Sequence, residues 1–260
     1  MTFDFSLPSI TWRLVPVWRR NFLVWKKLAV TSVLGNIADP MIALVAFGYG
    51  LGALLPTVSG VSYVQFLAAG TICMSTMNAA TFESLYSAFS RMHVQRTWDG
   101  IMNAPVALDD VVLGELAWAT TKALMSGVAI MVVISVLGLA HGPLAFLVLF
   151  VVMLVGLAFA AIGLVINALA RGYDFFTYYF TLVVTPMSFL SGVFFPVEQL
   201  PSWLHLVSQC LPLTHAVEMA RPLLLGMTPP RAFLNIAVLA AYTVCAAWIA
   251  VVLTRRRLLV

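Results

Sequence analysis

The chain has 260 residues, of which 62% are apolar and only 9% charged, and its mean hydropathy is +1.01. Soluble domains carry roughly 25% charged residues, so this composition excludes a soluble enzyme, a disordered protein and a disulfide-stapled module. The net charge of +4 does not imply a nucleic-acid partner, because where the basic residues sit matters more than their sum.

The N-terminal segment, residues 1–31, begins with Asp4 and polar residues. Its apolar positions alternate with five basic ones, unlike a cleavable signal peptide. From Pro16, Trp18, Phe22, Trp25 and Ala29 recur at helical spacing, while Arg13, Arg20 and Lys27 recur on another face. This pattern predicts an amphipathic helix lying along the membrane surface. The same charges also serve as topology determinants.

Residues 32–260 form one membrane domain with no internal repeat. A bilayer-crossing helix needs about 20 mostly apolar residues, whereas membrane β-barrels show only short alternating stretches. The apolar runs predict an all-α integral membrane protein with six transmembrane helices, at about 32–55, 62–82, 116–139, 144–168, 178–195 and 232–254. From Leu144 to Ile166 no residue is charged. Asn36, Asp39 and Pro40 interrupt the first span, and Pro186 the fifth. Twelve of the Lys and Arg residues fall on one side of these spans, in the N-terminal segment, the second and fourth connections and the tail. Only Arg221 and Arg231 fall on the other. The excess of positive charge places both termini in the cytoplasm.

Two connections are longer than topology requires. In the cytoplasmic elbow, 83–115, Leu85, Ala88, Phe89 and Met92 continue the second helix as an apolar stripe, and RTWDGIMNAP reads as a short helix ended by Pro105. Such an elbow implies a docking partner. The external segment, 196–231, holds prolines at 196, 201, 212 and 222, too many for one span. It predicts re-entrant helical pieces between spans five and six, with Trp203 and His205 at headgroup depth.

Catalytic patterns are absent from the sequence. There is no phosphate loop and no paired metal-ligand motif. His93, His141, His205 and His215 are scattered over loops; Cys73, Cys210 and Cys245 lack metal or redox spacing, and Cys73 and Cys245 read as buried filler. Asp109 and Asp110 precede the third span, where carboxylates cap a helix. One intramembrane pair is suggested by depth alone: Asp39 and Lys122 each lie about 10 Å into their spans at helical rise, and intramembrane charges pair or face a cavity. Separate snorkelling to the interface is the alternative.

The order of motifs is informative: T-F-E at the end of the second span, RTWDGIMNAPV in the elbow, then P-x-x-F-L-S-G-V-F-F-P-V-E-Q-L-P. This resembles the type-2 family of ABC transporter permeases over nearly the whole chain. WRRNFLVWKK, LGNIADP, ATFESLYSAF, RMHVQRTWDGIM and LGELAWATTKA look like its nodulation protein J branch. The resemblance implies a bacterial inner-membrane permease, paired as a homodimer within the bilayer. It carries no cofactor and no catalytic residue or metal of its own, and is driven by an ATP-binding subunit like nodulation protein I, which holds ATP and Mg. The implied cargo is a lipo-oligosaccharide. Relatives with other cargo share such scaffolds, so multidrug or other amphiphile efflux is the alternative. An energy-independent channel or scaffold and a lipid-modifying enzyme are the readings from other classes.

On that resemblance the stretch 94–105 corresponds to the coupling helix that engages the ATPase. Arg96, Thr97, Asp99 and Met102 are its contact candidates and Trp98 its buried anchor. The cargo path runs between the permease copies, along spans one, two and five. Its candidates are Gly70, Ser75, Thr76, Thr185 and Ser188, with Phe189, Phe194 and Phe195 as an outer hydrophobic plug. The small residues among these are equally suited to helix packing.

Overall fold

A computed structural model describes residues 6–55 and 57–259, with the side chain of Asp39 also outside the described set. Asp4, the acidic residue that argues against a signal peptide, lies outside those residues. Among the described residues the regular elements are helical apart from a two-residue-per-strand hairpin, β1 (Thr57–Val58) and β2 (Val61–Ser62).

The expected amphipathic helix is α1, Leu14–Lys26, which buries Val17 and Asn21. α2, Ala29–Gly50, follows with Pro40 inside it. α3, Tyr63–Phe82, begins at a capping box in which Ser62 Oγ accepts from the Gln65 amide, satisfying an amide the first turn would otherwise leave free. α4 spans Thr97–Met102 and α5 Leu108–Val136. A 3₁₀ turn, Pro143–Leu147, leads into α6, Val148–Leu169. α7 (Asp174–Tyr179), a π-helical stretch (Phe180–Val184) and α8 (Thr185–Leu190) run on as one irregular rod. α9 (Ser202–Cys210), α10 (Pro212–Leu224) and α11 (Ala232–Leu258) complete the chain.

α6 is the centre. It packs against α3, α5, α10 and α11 and buries Val151, Val155, Phe159 and Ala161 among them. Its lack of charge is what allows contact on so many sides. α2 is the least covered of the long helices, with Leu34, Ile42, Val45 and Phe47 exposed.

Among the described residues, four helical segments are long and apolar enough to cross a membrane: α2, α5, Pro143–Leu169 and α11. α3 has the length, but Thr71, Ser75, Thr76 and Asn78 dilute its apolar character. The expected fifth span begins at Asp174 and is broken by π turns rather than being one regular helix. The expected third span starts at Leu108 instead of 116, because Asp109 and Asp110 begin the helix itself and Glu115 lies within it. Residues 200–226 form two helices, with Leu211 extended between them and Pro212 starting the second. That is the break the proline content predicts.

Candidate functional site

The elbow is built from the inside out. Beyond Phe82, α3 continues through two π-helical stretches, Glu83–Ser87 and Ser90–Val94, where the Gln95 amide reaches the Ser90 carbonyl at 2.8 Å. The expected stripe of Leu85, Ala88, Phe89 and Met92 is buried. Glu83 and Arg91 turn instead toward α5 and meet Glu115 and Lys122 there.

The four charges form one connected cluster. Arg91 Nε donates to Glu115 Oε1 at 2.9 Å, and its Nη2 lies 2.9 Å from Glu83 Oε1 and also reaches Glu115 Oε2. Lys122 Nζ donates to Glu83 Oε2 at 2.7 Å. Two indoles complete the set: Trp118 Nε1 donates to Glu83 Oε1 at 2.8 Å and Trp98 Nε1 to Glu115 Oε1 at 3.1 Å. Burial alone would raise the Glu83 carboxyl, but Arg91 and Lys122 beside it hold it down at about 2. Buried charges are tolerated only when paired and hydrogen-bonded in this way. Lys122 was expected to meet Asp39; the described partner is Glu83, and the Asp39 side chain lies outside the described residues.

This cluster fixes α4. The chain leaves the π-helical extension at Arg96, whose φ of +48° is left-handed, a conformation that costs a non-glycine residue roughly 1 kcal/mol. That reversal turns Trp98 inward, where it is 1% exposed. The indole expected to anchor a partner is therefore packed within this chain, tying α4 to α5. Arg96, Asp99 and Gly100 are left facing out, with Thr97 and Met102 half-buried.

The expected pathway residues separate into two groups. Phe189, Phe194 and Phe195 come together with Phe47 and Tyr63 around a cavity of about 800 Å³, rimmed by Glu198 and Gln199. The Phe189 and Phe194 rings are 5.2 Å apart, Phe47 lies 5.6 Å from Phe194, and Tyr63 Oη donates to the Phe194 carbonyl at 3.1 Å. The small residues mostly serve packing. A Cβ on Gly70 would stand 2.7 Å from the Val193 backbone, so this glycine lets the 191–195 turn close on α3. Thr76 Oγ1 donates to the Ile72 carbonyl and Ser188 Oγ to the Val184 carbonyl. Ser75 lies 3.4 Å from Ser126 Oγ and also lines a smaller cavity shared with Gly35, Asn36 and Lys122. Thr185 is exposed on α8 and, like Ser188, does not line the aromatic cavity.

Comparison with known proteins decides what this architecture belongs to. The family described as "ABC-2 type transporter" matches residues 14–225. The chain belongs to the ABC-2 type transporter family. It is a multi-pass membrane permease, a transport component without an ATPase domain. It is 46% identical over 254 residues to "Nodulation protein J" of Rhizobium meliloti strain 1021, covering 98% of this chain and 97% of that one. Its identity to "Nodulation protein J" of Rhizobium leguminosarum bv. viciae is 47% over 254 residues, 98% of both chains. "Inner membrane transport permease YadH" of Escherichia coli K12 is 23% identical over 215 residues, 81% of this chain and 82% of that one.

Sequence reasoning about the permease missed four features. Glu83 and Glu115 figured only as boundaries and as letters of family motifs, although a carboxylate eight residues before Arg91, and another seven before Lys122, are spacings that stack on helix faces. Asp110 does cap α5, accepting from the Ala107 amide at 3.2 Å. Asp109 does more: it binds Arg255 Nε at 2.8 Å and the Ser9 amide at 2.9 Å, clasping both ends of the permease over the start of α5. Thr11 Oγ1 adds a bond to Asp110 at 2.6 Å. His215 is no loop residue; it is buried in α10, bonded to Asn235 at 2.8 Å and to the Gln209 carbonyl at 2.9 Å. Cys245 was expected to be buried like Cys73, but it lies on an exposed face of α11. Among the described residues no group of three His, Cys, Asp or Glu is arranged to hold a metal ion.

Proposed function

We propose that this chain is the transmembrane half of an exporter that moves an amphiphilic lipo-oligosaccharide across the bacterial inner membrane. Two copies pair with two ATP-binding subunits, which hold ATP and Mg. The family implies the ATPase partner, and near-full-length identity to nodulation protein J supports the cargo. The observation that carries the mechanism is the elbow. α4 is bound to α5 through Trp98, Glu115 and Arg91, so a push on its exposed side by a motor protein is transmitted into long membrane helices rather than absorbed by a loose loop.

In this reading the α3 and α7–α8 rods cross the membrane alongside the four long apolar helices, giving six spans. Both termini and α4 are cytoplasmic, and α9 and α10 dip into the outer interface. The aromatic cavity at Phe47, Phe189 and Phe194 is the outer end of the path. Its apolar lining suits an acyl chain and also suits lipophilic drugs, which is the specific ground for the second reading, multidrug efflux. The Asp39–Lys122 pairing suggested by the sequence is put to the test by a double-mutant cycle with Asp39→Asn and Lys122→Met, which is expected to show coupling beyond additivity.

The test is ATP hydrolysis by the permease co-reconstituted with its ATP-binding subunit. Chito-oligosaccharide lipids are expected to stimulate turnover where drugs do not. Stimulation by drugs alone would favour the second reading, and transport without any nucleotide-hydrolysing companion would overturn both.

A further inference from the structure

We propose that the small open cleft between α1, the π-helical extension of α3 and α5 binds the phosphate of an anionic phospholipid, which locks α1 onto the elbow. The cavity, about 160 Å³, is lined by Arg20, Asn21, Arg91, Lys122, Glu83 and Trp118 among others. It is well below the roughly 300–1,000 Å³ of drug-sized sites and suits one small headgroup group rather than a saccharide.

Its chemistry calls for acceptor oxygens. Arg91 and Lys122 are matched by Glu83 and Glu115. Arg20 is not matched: its Nη1 donates to Asn21 Oδ1 at 2.9 Å and its Nη2 to Thr97 Oγ1 at 3.5 Å, and among the described residues no carboxylate lies within ion-pair distance of it. Asn21 is 3% exposed and its Nδ2 has no hydrogen-bond partner. A buried amide donor left unpaired is costly, so the wall of this cavity holds one surplus cation and one unsatisfied donor side by side. A phosphate satisfies both, because its oxygens accept from guanidinium and amide alike.

The surroundings select a lipid over free phosphate. On the outer face of α1 a second, shallow cavity is lined by Val15, Pro16, Leu23 and Val24, and it shares Arg20 and Val24 with the first. Leu23 and Val24 are exposed there. A phosphate held at Arg20 and Asn21 thus has an apolar trough beside it where acyl chains can lie. This assignment is independent of what the permease transports.

The experiment uses the full-length chain purified in a zwitterionic detergent. Retained lipid is read by native mass spectrometry and the melting temperature is followed as phosphatidylglycerol, phosphatidylcholine or sodium phosphate is titrated. Phosphatidylglycerol is expected to bind and raise the melting temperature; phosphatidylcholine and phosphate at equal concentration are not. Arg20→Gln and the isosteric Asn21→Asp each weaken phosphatidylglycerol binding about tenfold, while Arg13→Gln, which removes a charge from the exposed start of the same helix, leaves it unchanged. Asn21→Asp keeps its neighbour Arg20 paired and so preserves the fold. Unaltered phosphatidylglycerol affinity in both cavity variants, an equal loss in Arg13→Gln, or equal binding of phosphatidylcholine would overturn the site. Equal binding of inorganic phosphate would overturn its assignment to a lipid.

Discussion

Arg91 sits between two carboxylates, and its removal leaves Glu83 and Glu115 buried with too few donors. Breaking a buried ion pair from one side costs about 3–5 kcal/mol, so Arg91→Ala is expected to lower the melting temperature of the detergent-solubilised permease sharply, and Glu115→Gln less so. The cluster also sets an acid limit. Glu83 is held at about 2 in the folded chain, below its ordinary value near 4.5, so its ionised form favours folding above that ordinary value. This contribution, roughly 3 kcal/mol, is lost as pH falls from about 4.5 toward 2. Melting curves between pH 6 and 2 on wild type and Glu83→Gln should converge at the acid end; parallel curves would show that Glu83 does not titrate as described. None of this was apparent from residue types alone. Asp39 and Lys122 stood out because each interrupts an apolar run, whereas Glu83 and Glu115 lay at the ends of such runs and read as boundaries.

At the scale of elements, two of the contacts that hold α1 against α5 show how closely it docks. A Cβ on Gly114 would stand 2.7 Å from Val17, so α1 approaches α5 as closely as it does only because that position has no side chain. Trp18 Nε1 then donates to Thr121 Oγ1 at 2.9 Å. Gly114→Leu is expected to prise α1 from α5, read as faster limited proteolysis within residues 14–27 while the melting of the remainder changes little. The clasp at Asp109 predicts a parallel result: Asp109→Asn weakens the grip on Arg255 and Ser9 and exposes both termini to protease. α1 itself was legible, since its aromatic and basic residues repeat at helical spacing. Its docking face was not, because periodicity names a face but not the neighbour it meets. The π turns in α3 and between α7 and α8 were likewise invisible, as they leave the apolar composition unchanged while rotating the helical turns beyond them.

For the whole molecule, composition and hydropathy were enough to establish a helical membrane protein, and the elbow motif together with the P-x-x-F-L-S-G stretch was enough to point to the permease family. The interior of the elbow was the part that sequence misassigned. Tryptophan in a short interfacial helix reads as a partner's anchor, yet Trp98 faces its own α5, so the charged residues left exposed on α4 and its cap are Arg96 and Asp99. This division of labour predicts that the two kinds of substitution separate: Trp98→Phe keeps an aromatic ring but loses the bond to Glu115 and some buried volume, destabilising the permease, whereas changes at Arg96 or Asp99 leave it stable and uncouple it. The most direct measurement is ATP hydrolysis by the ATP-binding subunit reconstituted with the permease carrying Arg96→Ala and Asp99→Ala together. The expected result is a folded, inserted permease whose stimulation of hydrolysis falls about tenfold or more, the loss of one or two charged contacts. Full stimulation by that variant would contradict coupling through α4.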